Sequence, residues 1–371
     1  MRNRHTVRAA TWGAATLAGI ALASGIAAAH VRFVTDTEEA GEALRFLAGA
    51  LTDPLHLAAL GGGALAVLVA IAVYLKTEAL NRDVAVFRGV MESYRDLLPW
   101  LLRLGFGLPL VGAGFAGYFF NPVVEPLIGS GVDRLLQILL GFMLVFGLGT
   151  RVASLAGLVV YLVALPIQPL LAFSLEWIPG FLALIVVGSG RPSADHTLAQ
   201  VAATPGTFYN EVDPIHRAAA WFEARVDPYE RYVPTVIRVG MGVGFAFLGL
   251  MEKLLAPEMA MSVVANYGLA EATPFPAELW VLGAGLGELA LGIAIALGFF
   301  TRGSALAAMF VFTLTLFGIP DDPVLAHIGL FSLASALLIT GSGPYALDNY
   351  LSDSRRTARS DAVVEPAPRN D

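Results

Sequence analysis

The chain has 371 residues and a formal net charge of −7; 56% of its residues are apolar and only 14% charged, and its mean hydropathy is +0.69. Soluble domains carry about 25% charged residues, so the composition excludes an ordinary water-soluble domain, and an acidic chain is not expected to bind nucleic acid. The absence of cysteine excludes disulfides, thiolate metal sites, iron–sulfur clusters and covalently attached haem.

Apolar runs lie at roughly 9–29, 55–75, 99–120, 134–149, 152–171, 174–188, 235–255, 277–298, 303–319 and 325–341. Runs of about 20 residues rise ~30 Å as helix, the thickness of a hydrocarbon core. Lipid leaves exposed backbone groups without partners, and these runs are continuous rather than alternating, so they are predicted to be helices. The expected fold is all-α: a polytopic integral membrane protein of about ten spans. Arg2, Arg4 and Arg8 precede the first run, which ends in Ala27-Ala28-Ala29. That pattern also fits a cleaved signal peptide, but the run's length favours an uncleaved helix.

Loop charges set the orientation. With the N-terminus in the cytoplasm, the inner side collects Lys76, Arg82, Arg88, Arg95, Arg103, Arg151, Arg191, Arg217, Arg225, Arg231, Arg238 and Arg302, whereas the outer side holds only Arg32, Arg45, Arg134 and Lys253. This asymmetry predicts both termini inside a plasma membrane. Two inner stretches are amphipathic rather than spanning. Leu80, Val84, Phe87, Met91, Tyr94 and Leu98 recur at helical spacing, as do Ile215, Ala219, Phe222 and Val226, and both read as interfacial helices.

The interfacial helix and the four spans after it occur twice. LRLGFGLPLVGAGF (102–115) matches IRVGMGVGFAFLGL (237–250), GFMLVFGLGTR (141–151) matches GIAIALGFFTR (292–302), and GSGRPSAD (188–195) matches GSGPYALD (341–348). Both copies begin inside and hold an even number of spans, so the repeats are parallel. The expected organisation is a two-helix hairpin over 1–79, a degenerate four-helix unit over 80–196, a second unit over 197–350 and a disordered cytoplasmic tail over 351–371.

The copies differ where chemistry could sit. Glu252 and Lys253 face Gly117 and Tyr118, Glu288 faces Gln137, and His327 faces Ser174. Shared residues read as scaffold and differing ones as a candidate site in the second copy. A carboxylate as deep as Glu288, ~16 Å from the outer end of its span, costs at least ~2.5 kcal/mol to insert if it is charged. Glu288 and His327 are therefore candidates for proton handling, with Glu252 and Lys253 as candidate binding residues for a polar head. The competing readings are a neutral Glu288 in one interhelical hydrogen bond, and interfacial charges that snorkel to water. Arg302 with Asp348, and Arg151 with Asp195, are expected to form structural ion pairs at the inner face. His30, His56 and His327 fall at outer span ends, but no metal or haem site is expected of them. GAGFAG (112–117) matches a dinucleotide-binding pattern only by letter, because it lies inside a span rather than after a strand.

The second copy resembles the DoxX family of small four-helix membrane proteins. The residues that carry the resemblance are IRVGMGVGFAFLGLMEKLLAP (237–257), GELALGIAIALGFFTRGSALAA (287–308) and HIGLFSLASALLITGSGPYALD (327–348). The resemblance implies a membrane subunit of a quinone-linked redox complex, of the thiosulfate:quinone or quinol oxidase type, with a quinone as cofactor and a redox partner subunit. It places Lys253, Glu288 and His327 on the family's recurrent polar positions. The readings that compete with it are a transporter or lipid-handling protein without redox activity, and a membrane anchor for a soluble partner. A homo-oligomer is compatible with each.

Overall fold

The computed structural model describes residues 43–77, 80–213, 215–273 and 275–351. The expected span at 9–29, His30, Arg2, Arg4, Arg8 and Arg32, and the tail from residue 352 lie outside the described residues.

The described chain is helical. A short helix α1 (Ala43–Thr52) leads into α2 (Pro54–Lys76), which is capped by the Asp53 side chain. The interfacial stretch expected from Leu80 is α3 (Asn81–Ser93), followed by a 3-10 turn at Arg95–Leu97. The first four-helix group is α4 (Leu98–Ala116), α5 (Ser130–Phe146), α6 (Thr150–Ala164) and α7 (Trp177–Val187). Three connecting helices come next: α8 (Ala194–Ala203), α9 (Phe208–Val212) and α10 (Ile215–Val226). The second group is α11 (Val233–Leu248), α13 (Ala277–Leu297), α14 (Thr301–Gly318) and α15 (Val324–Thr340), with α12 (Pro257–Asn266) between its first two members.

Among the described residues, five stretches are long and apolar enough to cross a membrane by length and composition, namely 54–76, 95–116, 215–254, 277–297 and 301–318, and α6, α7 and α15 are shorter apolar helices. Every expected span after residue 55 falls on one of these helices or on α5. Only His56 of α2 is buried. A 23-residue apolar helix with so little protein cover belongs in lipid, so the chain is an all-α membrane protein. Neither α8 nor α12 was anticipated; each is 10 residues long, too short for a clear apolar period.

Glycine sets the close approach of the helices. A Cβ on Gly107 would lie 2.9 Å from the Gly141 carbonyl, and one on Gly242 would lie 2.5 Å from the Gly292 carbonyl. The α4–α5 and α11–α13 pairs are thus pressed backbone to backbone. The two groups meet through reciprocal contacts. Gly105 of α4 packs on Ser332 of α15, and Gly240 of α11 packs on Pro179 of α7. One apolar core runs through both, including Phe106, Phe181, Met241, Phe245, Leu333 and Leu337.

The polar ends that carry Arg103 and Arg238 are built alike. Arg103 donates to the carbonyls of Ser189, Pro192 and Val145; Arg238 donates to those of Ser342, Ala296, Pro344 and Tyr345. Here the expected ion pairs are corrected. Asp348 accepts from the backbone N–H groups of Phe300 and Thr301 at 2.7 and 2.9 Å, and Asp195 does the same for Gly149 and Thr150 at 2.6 and 3.0 Å. Arg302 donates to the carbonyls of Leu338 and Ile339 and pairs with Glu92, while Arg151 donates to those of Ile185 and Val186 and pairs with Glu223. Each Asp caps the start of a helix, where N–H groups lack internal partners, and each Arg caps the carbonyl end of another. All four residues are structural, but as caps.

A buried charge cluster in the second helix group

The helix of α11 does not stop at Leu248. It widens into a π turn over Gly249–Leu254, closed by a hydrogen bond from Leu255 N–H to the Leu250 carbonyl at 2.9 Å. An extra residue in one turn rotates the side chains after it, and such turns recur at functional sites. Gly249 permits this one, because a Cβ there would lie 2.7 Å from the Gly285 carbonyl of α13. Gly285 in turn lets the Lys253 backbone approach, since its own Cβ would lie 3.1 Å from that of Lys253. Glu288 is three residues further along α13, one helical turn away on the same side.

The result is a contact that sequence alone could not supply. The Lys253 ammonium donates to Glu288 Oε2 at 2.8 Å, and it lies 3.9 Å from Glu252 Oε2. Glu252 is 0% exposed, so it does not snorkel to water, and Lys253 and Glu288 are 18% and 16% exposed. On α13 beside them, Cβ atoms at Gly283 and Gly287 would meet nothing within 4 Å. That face is flat and open.

His327, at the start of α15, completes the cluster with a residue not singled out from the sequence. Its Nε2 lies 3.5 Å from Asp322 Oδ2, and both side chains are buried. Asp322 lies close enough to Glu252 and Lys253 for both charges to act on it. Burial, with the Glu252 charge adding to it and Lys253 opposing it, pushes the Asp322 carboxyl up to about 7. Its Oδ1 is buried without a hydrogen-bond partner. The signal that could have found Asp322 is weak, because an Asp-Asp-Pro loop is ordinary at a helix start.

The first group shows the same places without charge. Gln137 accepts from Phe120 N–H at 2.8 Å and donates to the Tyr118 carbonyl at 2.9 Å. Asn121 donates to the Ser174 hydroxyl at 2.6 Å. These neutral bonds close the end of α4–α7 that carries residues 118–121. His56, by contrast, stands apart from the cluster, its Nδ1 3.1 Å from the Ala50 carbonyl.

Two spaces lie elsewhere. A cavity of about 10 Å³, room for roughly one water, is lined by Tyr118, Ser174, Glu176, Trp177 and Gly329. A groove of about 1040 Å³ opens between α2, α3 and the tips of α14 and α15, bounded by Tyr74, Phe87, Arg88, Phe300 and Arg302.

The charges of the cluster do not balance. With all three carboxyls ionised and His327 neutral, Glu252, Glu288 and Asp322 exceed the one lysine by two charges. Uncompensated charge inside protein and lipid is costly, and two added protons make the cluster neutral.

Residues 233–321 match the family model DoxX, so the chain carries a DoxX-like membrane domain. The matched stretch includes Glu252, Lys253 and Glu288 and ends one residue before Asp322. No curated protein and no solved structure matches the chain.

Proposed function

We propose, taking the DoxX-like domain at residues 233–321 as premise, that this chain is the membrane subunit of a quinone-linked redox complex. It would lie in the plasma membrane with both termini in the cytoplasm. The observation that carries this reading is the clustering of three acids and one histidine around Lys253, which from its fully deprotonated state takes up two protons before it is neutral. Reduction of a quinone to a quinol takes two electrons and two protons.

In this reading Lys253 holds the developing negative oxygen, and Glu288, bonded to the same ammonium at 2.8 Å, is placed to pass a proton there. His327 and Asp322 resupply it. The open face at Gly283 and Gly287 is where a flat ring in the bilayer reaches the pair. The electrons come from a donor on another chain. The reading is tested by purifying the protein gently from its native membrane and identifying extracted lipids by mass spectrometry. Quinone is expected to accompany the wild type and to be lost in Glu288→Gln, which carries the first group's residue. Equal quinone in both, or none in the wild type, would end the assignment.

The groove favours a second reading. Its volume of about 1040 Å³ is that of a small-molecule site, and a transporter or lipid-handling protein would use it without redox chemistry. Substrate flux in proteoliposomes, unchanged by Glu288→Gln, would favour it.

A further inference from the structure

We propose that Asp322 and His327 form the port through which the buried cluster exchanges protons with water at the 319–323 end of the bundle. The inference rests on the reading above only for what the protons are used for; the port itself rests on geometry.

The first step is the tautomer. His327 Nδ1 lies 3.3 Å from the Pro323 carbonyl oxygen. A carbonyl only accepts, so that nitrogen carries the hydrogen. The other nitrogen, Nε2, then faces Asp322 Oδ2 at 3.5 Å. A bare nitrogen lone pair opposite a bare carboxylate is repulsive. The contact is favourable only when one proton lies between the two groups, on either side. The Pro323 carbonyl thus fixes the ring so that the pair holds a single exchangeable proton.

The second step is position. Asp321 is exposed and Asp322, the next residue, is buried. The Tyr267 hydroxyl donates to Asp321 Oδ2 at 2.8 Å, tying the loop to the segment after α12. The port therefore stands one residue from water. On its inner side it meets Glu252 and Lys253 from the π turn, and through Lys253 it meets Glu288 from α13. From α14 the His327 ring is met by Phe312, with ring centroids 6.2 Å apart, which closes that flank to water. From the exposed loop inward the acids thus follow in the order Asp322 with His327, Glu252 with Lys253, then Glu288, whose 16% exposure lies on α13, an apolar helix long enough to face lipid. The one-proton step is balanced: a proton from solvent enters the Asp322–His327 pair as the pair's own proton moves to Glu252 or Glu288.

The test is a rapid pH drop on the protein in lipid nanodiscs, monitored by the infrared carbonyl band of protonated carboxyl groups. Asp322→Asn and His327→Gln are each expected to slow protonation of the remaining acids roughly tenfold or more. Glu288→Gln is expected to remove its share of the amplitude without slowing the rest. Thermal midpoints check assembly, and if one port variant fails to assemble the other decides. Wild-type rates in the assembled port variants would overturn the proposal. The port and the redox reading fail separately: slowed exchange in a protein that holds no quinone keeps the port and removes the redox role, and unslowed exchange with quinone present does the reverse.

Discussion

Lys253 is the cation that Glu288 and Glu252 share, so its removal acts on two acids. Breaking a buried pair by deleting one partner typically costs about 3–5 kcal/mol. Lys253→Met is expected to lower thermal stability by an amount near the lower end of that range, since the pair keeps some exposure. The Lys253→Met/Glu288→Gln double variant should recover part of the loss. A double variant no more stable than the single one would mean that the two side chains are not coupled. Asp322 predicts a pH dependence. Its carboxyl is raised from 3.8 to about 7, so its contribution is fully favourable below the unfolded value and is lost as the pH rises through about 7. The thermal midpoint is expected to fall between those limits, and less so in Asp322→Asn. Four members of the cluster were legible in the sequence because ionisable groups stand out in apolar runs. Asp322 was not, because acids are common in loops and its burial depends on how α15 meets the π turn.

At the scale of elements, the placement of the cluster depends on backbone contact. Gly242→Ala would drive its Cβ to 2.5 Å from the Gly292 carbonyl and Ala296 nitrogen. Neither atom can yield without moving α13. A loss of about 1–3 kcal/mol is expected, as for other overpacked sites. Gly283→Ala on the same helix pair meets nothing within 4 Å and should leave stability unchanged or raise it by up to ~1 kcal/mol. Equal losses in the two variants, read from thermal unfolding in detergent, would show that the close approach does not hold the pair. The spans were legible because each is a continuous apolar run. The partner of Glu288 was not, since one extra residue in the turn at Gly249–Leu254 changes which way Lys253 points, and no periodicity marks a π turn. The capping Arg and Asp residues misled for a related reason. Opposite charges near helix ends suggest a pair, whereas unpartnered backbone groups at those ends are the stronger claim on each.

Across the whole molecule, the two helix groups make equivalent bonds at matching positions. Arg103 and Arg238, Asp195 and Asp348, and Arg151 and Arg302 each repeat the kind of partner they hold. The groups also meet through matching contacts, Gly105 on Ser332 and Gly240 on Pro179. The difference in chemistry between them lies at the opposite end from these caps. There the first group closes with Gln137, Asn121 and Ser174 in neutral hydrogen bonds, and the second gathers Glu252, Lys253, Glu288, Asp322 and His327. The scaffold is thus common to both groups, and the charges gathered around Lys253 belong to one. Redox-triggered infrared difference spectroscopy on the purified protein with the proposed quinone added tests this most directly. The account predicts that reducing the quinone changes the protonated-carboxyl band in the wild type and that Glu288→Gln abolishes or shifts that change. A quinone that is reduced with no carboxyl change in the wild type would contradict it.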